Sequence, residues 1–269
     1  MSAVGAAGAP KLSVGDLTLD YVNPETGIAH RAVEHLDLTV ARNEFLCVVG
    51  PSGCGKSTLL SAIAGFLAPT AGTILMDGRP VEGPGAERGV VFQEYALLPW
   101  MNVLDNAALG LKLRGMPKAE RYAVAQRFLE LANLHGVERK YPHELSVGMK
   151  QRVAVARTLA NSPEVMLMDE PFAAVDAQTR MTLQEELVRL SIESRLTVIF
   201  ITHSVEEAIF LGDRVAVMTP GPGRIRTIVD VPFPRAERIW QAIGSDARFV
   251  ALRERLLALV RAPVEAAVA

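Results

Sequence analysis

The chain has 269 residues, a formal net charge of -2 and two cysteines, Cys47 and Cys54. That length fits one large α/β domain with at most a small appendage, and it is enough to bury a substantial core. The charge balance leaves no basic excess for nucleic acid or anionic lipid, and two cysteines are too few for a disulfide framework, so a reducing compartment is expected. Residues 1–10 are rich in Ala and Gly, with no basic residue and no long apolar run. This does not fit a signal peptide, and a loose tail over 1–11 is expected. The run 45–49 is short and apolar and reads as a buried strand. Residues 57–76 carry no charge and are numerous enough to cross a bilayer. Gly65, Pro69 and Gly72 break them into a helix, a turn and a strand, so they read as core, and no membrane span is expected elsewhere.

Further apolar runs at 89–92, 165–168, 197–201 and 214–218 read as strands of a largely parallel sheet. Amphipathic patterns at 118–135 and 177–195 read as helices; in the second, Leu183, Leu187 and Leu190 share one face. This alternation predicts a doubly wound α/β domain. Residues 102–162 interrupt it with a helix-rich insertion. After Arg224 the sequence holds one amphipathic helix at 247–261 and is too short for a second sizeable domain.

The chemistry concentrates at three places. Gly50-Pro51-Ser52-Gly53-Cys54-Gly55-Lys56-Ser57 follows the 45–49 strand and opens a helix. Glycines let successive backbone N–H groups turn inward around phosphate oxygens, and the helix N-terminus adds a positive dipole end. Lys56 then reaches the β- and γ-phosphates, the Ser57 hydroxyl ligates Mg2+, and Thr58 adds a phosphate contact. Cys54, inside this loop, is expected to have a lowered thiol pKa and to be alkylated with loss of ATP binding. The 165–168 strand runs into Asp169 and Glu170 before Pro171. Asp169 is placed to hold Mg2+ through water, and Glu170 suits a general base for the attacking water. Between these lies Leu145-Ser146-Val147-Gly148-Met149-Lys150-Gln151-Arg152.

That last segment resembles the signature motif of ATP-binding-cassette (ABC) ATPases, and the likeness extends over residues 12–228. The resemblance implies a P-loop NTPase core of α/β class, with a helical signature subdomain at about 102–162, an antiparallel β N-terminal part, and a C-terminal helical extension over 229–269. It implies that Gln93 contacts Mg2+ and water, that Asp176 lies at a dimer interface, that His203 contacts the γ-phosphate and that Tyr21 stacks on adenine. A core role for Tyr21 stays open at this point, and His30 and His35 read as surface or packing residues. ATP and Mg2+ are the implied ligands. Two copies would enclose two ATP molecules, with Ser146 and Gly148 serving the opposite subunit's nucleotide. Val147 and Met149 depart from the usual motif, and a β-branched residue at Val147 is expected to be strained if the site needs a positive φ.

One set of motifs without a fused membrane region resembles an importer's separate ATPase subunit, at the cytoplasmic face of a bacterial inner membrane. Residues 95–103 resemble the segment that receives a permease, so docking is expected near 93–103. Residues 218–225 and 176–180 are similar to the nitrate, sulfonate and taurine branch, which implies a small-anion cargo and a separate substrate-binding protein. Two other assignments remain: an export or lipid-trafficking ATPase, and a non-hydrolysing ATP-dependent clamp.

Overall fold

The structure is a computed structural model, and it describes residues 9–22 and 29–262. The strands and helices are, in chain order, β1 Leu12–Val22, β2 Ala29–Val40, β3 Phe45–Val49, α1 Lys56–Ala64, β4 Ala71–Met76, β5 Arg79–Pro80, β6 Arg88–Val91, α2 Val103–Ala107, α3 Leu109–Leu113, α4 Lys118–Leu131, α5 Val147–Ala160, β7 Val165–Asp169, α6 Ala177–Glu193, β8 Thr197–Ile201, α7 Val205–Leu211, β9 Arg214–Met218, β10 Ile225–Asp230, α8 Trp240–Ile243 and α9 Ala247–Arg261. Among the described residues these strands make two sheets. One is antiparallel in the order β2-β1-β4-β5; the other runs β10-β9-β3-β8-β7-β6, parallel except for the edge strand β10.

The parallel sheet is covered on both faces, which is why its strands read as unbroken apolar runs. Successive residues point to opposite sides. Phe45, Cys47, Val49, Met166, Met168, Val198 and Phe200 pack towards α5, α6, α7 and α9. Leu46, Val48, Leu167, Ile199 and Ile201 face α1 and the antiparallel sheet. Between β6 and β7 the chain is helical, and α2, α4 and α5 enclose a small core of their own around Val103, Leu129 and Val153.

Several boundaries differ from expectation, each for a local reason. The helix expected over 118–135 stops at Leu131, and the one over 177–195 stops at Glu193. Both end in the same device, a left-handed residue: Asn133 at φ 57° and Arg195 at φ 49°. Behind them Leu134 N–H returns to Leu129 O at 2.9 Å and Leu196 N–H to Ser191 O at 3.0 Å, satisfying orphan helix carbonyls. The strand expected over 89–92 runs over Arg88–Val91, and Phe92 turns out to solvent to stack on exposed Phe66. The expected tail over 1–11 lies outside the described residues up to residue 8. Lys11, within it, is buried rather than loose: its ammonium binds Asp77 at 2.6 Å and pairs with Glu164.

Candidate active site

The site gathers at the C-terminal ends of β3, β7 and β8, where the strands of a parallel sheet deliver their loops to one edge. The phosphate loop leaves β3 at Val49 and enters α1 through Gly55, which has φ 93°. A side chain there is doubly excluded, because a Cβ on Gly55 would lie 2.5 Å from the Ala32 carbonyl oxygen. The loop is thus seated directly on β2. Lys56 is 6% exposed and folds back over the loop, its Nζ donating to Gly50 O at 2.9 Å and Pro51 O at 3.0 Å. The ammonium is held at the loop by backbone oxygens and needs no carboxylate partner. Ser52, Gly53 and Ser57 are exposed, while Pro51 and Thr58 are half-buried.

Ser57 hydrogen-bonds the Asp169 side chain, and burial raises the Asp169 pKa above the ordinary carboxylate value. Two hard oxygen donors in contact beside a phosphate loop fit Mg2+, which keeps several waters and takes one or two protein oxygens plus phosphate.

Glu170 begins the turn after β7 at φ 43°, with its N–H donating to Ile201 O at 3.0 Å. A left-handed glutamate is costly, and such conformers cluster at functional sites. The turn swings Glu170 towards the end of β8, where its Oε2 lies 3.2 Å from His203 Nδ1. Glu170 is half-buried and His203 exposed. Asp169, Glu170, Ser57, Lys56 and His203 therefore form one connected group.

The other expected residues stand outside that group. Ser146 caps α5, its Oγ accepting from Met149 N–H at 3.3 Å, and buried Gly148 packs so tightly that a Cβ would meet Thr179 Cγ2 at 2.8 Å. Val147 is a first-turn helical residue with no positive φ, so the expected strain is absent. Asp176 caps α6, accepting from Thr179 N–H at 3.0 Å, and that bond lowers its pKa. Ser146 and Asp176 are both exposed. Gln93 is exposed just past β6. Next to it Tyr95 and Ala96 are left-handed, and Arg157 from α5 grips their carbonyls at 2.9 and 2.6 Å. Tyr21 is 54% exposed at the end of β1, which removes the core reading.

Cys54 overturns its expectation. Its side chain is 1% exposed, and a Cβ on Gly50 would lie 2.9 Å from its sulfur. Burial pushes the thiol pKa up, outweighing the nearby Lys56. Sequence reasoning also missed the support under the loop. A Cβ on Gly223 would lie 2.0 Å from the Cys54 carbonyl oxygen, so the segment after β9 packs directly beneath the phosphate loop. Its run of Gly and Pro was a turn signal, with nothing in it to say what the turn touches.

With this geometry in hand, comparison with known proteins decides the family. The profile of the ABC transporter family matches residues 33–173. The chain belongs to that family. An ABC transporter ATP-binding protein of Methanocaldococcus jannaschii is 54% identical over 225 residues, covering 84% of each chain. A taurine import ATP-binding protein of Chromobacterium violaceum is 49% identical over 246 residues, covering 90% of this chain and 94% of its own. A nitrate import ATP-binding protein of Synechococcus elongatus is 44% identical over 263 residues, covering 96% of each. Among solved structures, the dimeric form of a bacterial ABC transporter cassette superposes with TM-score 0.73 at 29% identity, covering 83% of this chain and all of the other. A dimeric post-hydrolysis state of the same cassette holds ADP and phosphate, with TM-score 0.72 at 29% identity over 83% of this chain and 100% of that one. This ABC chain is an ATPase with the cassette fold.

Proposed function

We propose that this chain is the ATP-binding and ATP-hydrolysing subunit that energises an importer of a small anion such as nitrate, sulfonate or taurine, acting as a nucleotide-sandwich homodimer. The observation that carries the reading is the contact of Glu170 with His203 beside the Ser57–Asp169 pair. In this reading the backbone of residues 50–55 wraps the phosphates and Lys56 meets the β- and γ-oxygens. Ser57 and Asp169 would hold Mg2+, with Gln93 reaching it from the sheet edge; the ion supplies neutralisation of phosphate charge. Glu170 polarises the attacking water and His203 orients the terminal phosphate. Tyr21 stacks on the base.

Ser146, Gly148 and Asp176 complete a second copy's site. The exposure of Ser146, Asp176 and His203 in one subunit supports this: polar, capped and uncovered groups suit an interface that opens and closes. The dimeric cassettes among similar structures support it as well. Taurine and nitrate import subunits among the relatives support import of a small anion. Permease subunits would dock near 93–103, where Phe92 is 43% and Trp100 70% exposed. A cleft between the sheet and α3, lined by Leu109, Leu113 and Arg157, adjoins that segment. A substrate-binding protein would complete the system at the other side of the membrane. A peripheral place on the cytoplasmic face belongs to the same proposal; no helix among the described residues is long and apolar enough to cross a bilayer.

The test is ATP turnover and oligomeric state of wild type and Glu170→Gln. Wild type should hydrolyse Mg-ATP, while the variant should bind ATP, lose turnover by about a hundred-fold or more, and persist as a dimer. A variant that hydrolyses at the wild-type rate would remove Glu170 from the mechanism.

A further inference from the structure

Behind His203 lies a chain of buried hydrogen bonds that the reaction itself does not call for. Glu207, on the first turn of α7, is 6% exposed. Its Oε2 accepts from the Thr202 hydroxyl and its Oε1 from Gln184 Nε2 at 2.7 Å. Thr202 Oγ1 in turn accepts from Ser204 N–H at 3.0 Å, and Ser204 Oγ accepts from Glu207 N–H at 3.2 Å. Thr202 is therefore tied to the buried carboxylate directly, and Ser204 through the Thr202 hydroxyl and the Glu207 backbone N–H. Gln184 continues the chain outward. Its Oε1 accepts from the indole Nε1 of Trp240 at 2.8 Å, and Trp240 lies on the segment after β10, stacked on Phe210 at 4.3 Å between ring centroids.

The outer end of this chain has a fixed polarity. An indole N–H only donates, so Trp240 turns the Gln184 amide with its oxygen outward and its NH2 towards Glu207. A carboxylate with two donors is satisfied, whereas the reversed amide would oppose two oxygens. A buried glutamate is a costly way to fill space that an apolar side chain could fill. Its bonds go to the residue before the histidine and to the helix that Trp240 clamps. Glu170, Arg180, Thr202, His203 and Glu207 line one small cavity, and the hydrogen bonds from Glu207 reach His203 by way of its sequence neighbours Thr202 and Ser204.

We propose that Glu207 is a positioning residue for His203, and that Trp240 extends this brace so that the C-terminal segment governs turnover without touching nucleotide. The proposal rests on His203 acting at the terminal phosphate. Trp240→Phe keeps the ring on Phe210 and removes only the donor. Steady-state hydrolysis of Mg-ATP by the full chain should show kcat lowered by roughly three- to ten-fold, with KM for ATP within about two-fold and the melting temperature nearly unchanged. Glu207→Gln should lower kcat further. In a His203→Ala background Trp240→Phe should have no additional effect, because the brace then holds nothing. Unchanged kcat in Trp240→Phe, with His203→Ala strongly impaired, overturns the brace alone. Equal losses in both backgrounds also overturn it, by showing that Trp240 acts elsewhere. Full activity in His203→Ala removes the role of His203 and the brace with it.

Discussion

Cys54 and Asp169 show how strongly a side chain's surroundings override its neighbours in sequence. Cys54 sits at a helix N-terminus next to Lys56, where a thiol should ionise readily, yet its sulfur faces the core and burial raises its pKa. Native-state labelling with a thiol reagent should leave Cys47 and Cys54 unmodified until the chain unfolds, in the presence or absence of ATP; rapid ATP-sensitive modification would contradict the burial. Asp169 is raised by desolvation against the weaker pull of Ser57 and Lys56. A carboxylate whose pKa is higher folded than unfolded binds protons more tightly when folded, so its ionisation weakens the fold. Asp169→Asn should therefore raise the melting temperature of nucleotide-free protein at pH 8. The gain should shrink as pH falls through the raised pKa and vanish below the ordinary carboxylate range. A gain that persists at pH 3 would assign it to another cause. The sequence named both residues; their neighbours in space, Met218 and Gly50 for one and Ser57 for the other, became visible only in the fold.

At the scale of elements, Arg238 is one of the residues that bind the segment after β10 to the core, beside Trp240 and Arg235. Arg238 is 4% exposed and donates to Phe233 O at 3.1 Å and to Phe210 O and Gly212 O at 2.9 Å. Burial pulls its pKa down to about 10, still charged at neutral pH. Arg238→Ala would leave three buried carbonyls without this donor and should destabilise the protein by roughly 3 kcal/mol. Chemical denaturation measures this, and limited proteolysis should show earlier cleavage after residue 230. A change below about 0.5 kcal/mol would mean that the other contacts, those of Trp240, Arg235 and α9, hold the segment without it. Sequence periodicity placed a helix near 247–261, where α9 lies, because its apolar stripe of Phe249, Leu252 and Leu256 is regular. The Arg238 clamp has no periodic signature, since its partners are backbone carbonyls and two of them, those of Phe210 and Gly212, are distant in sequence.

Across the whole molecule, the parallel sheet and the helical region between β6 and β7 meet at the Gln93 loop, which Arg157 grips from the helical side. A partner pressing on the exposed Trp100 and Leu113 would therefore act on the segment that carries Gln93 towards the site. Trp100→Ala combined with Leu113→Asp should cut co-purification with the permease subunits by about five-fold or more, as expected for an aromatic anchor at an interface. The folded chain should keep its melting temperature. Undiminished co-purification would move the docking site elsewhere.

The sequence by itself determined the fold class and the chemistry. Uninterrupted apolar runs demand a sheet covered on both faces, and the spacing of Gly50, Gly55, Lys56 and Ser57 after such a run demands a phosphate cradle. These features are local, so a linear chain displays them. The tertiary structure alone decided that Glu170 turns back through a left-handed φ to meet His203, that Gly223 supports the loop from beneath, and that Trp240 connects through Gln184 to Glu207. Each of these joins residues from different strands or helices, and only packing brings such groups within hydrogen-bonding distance.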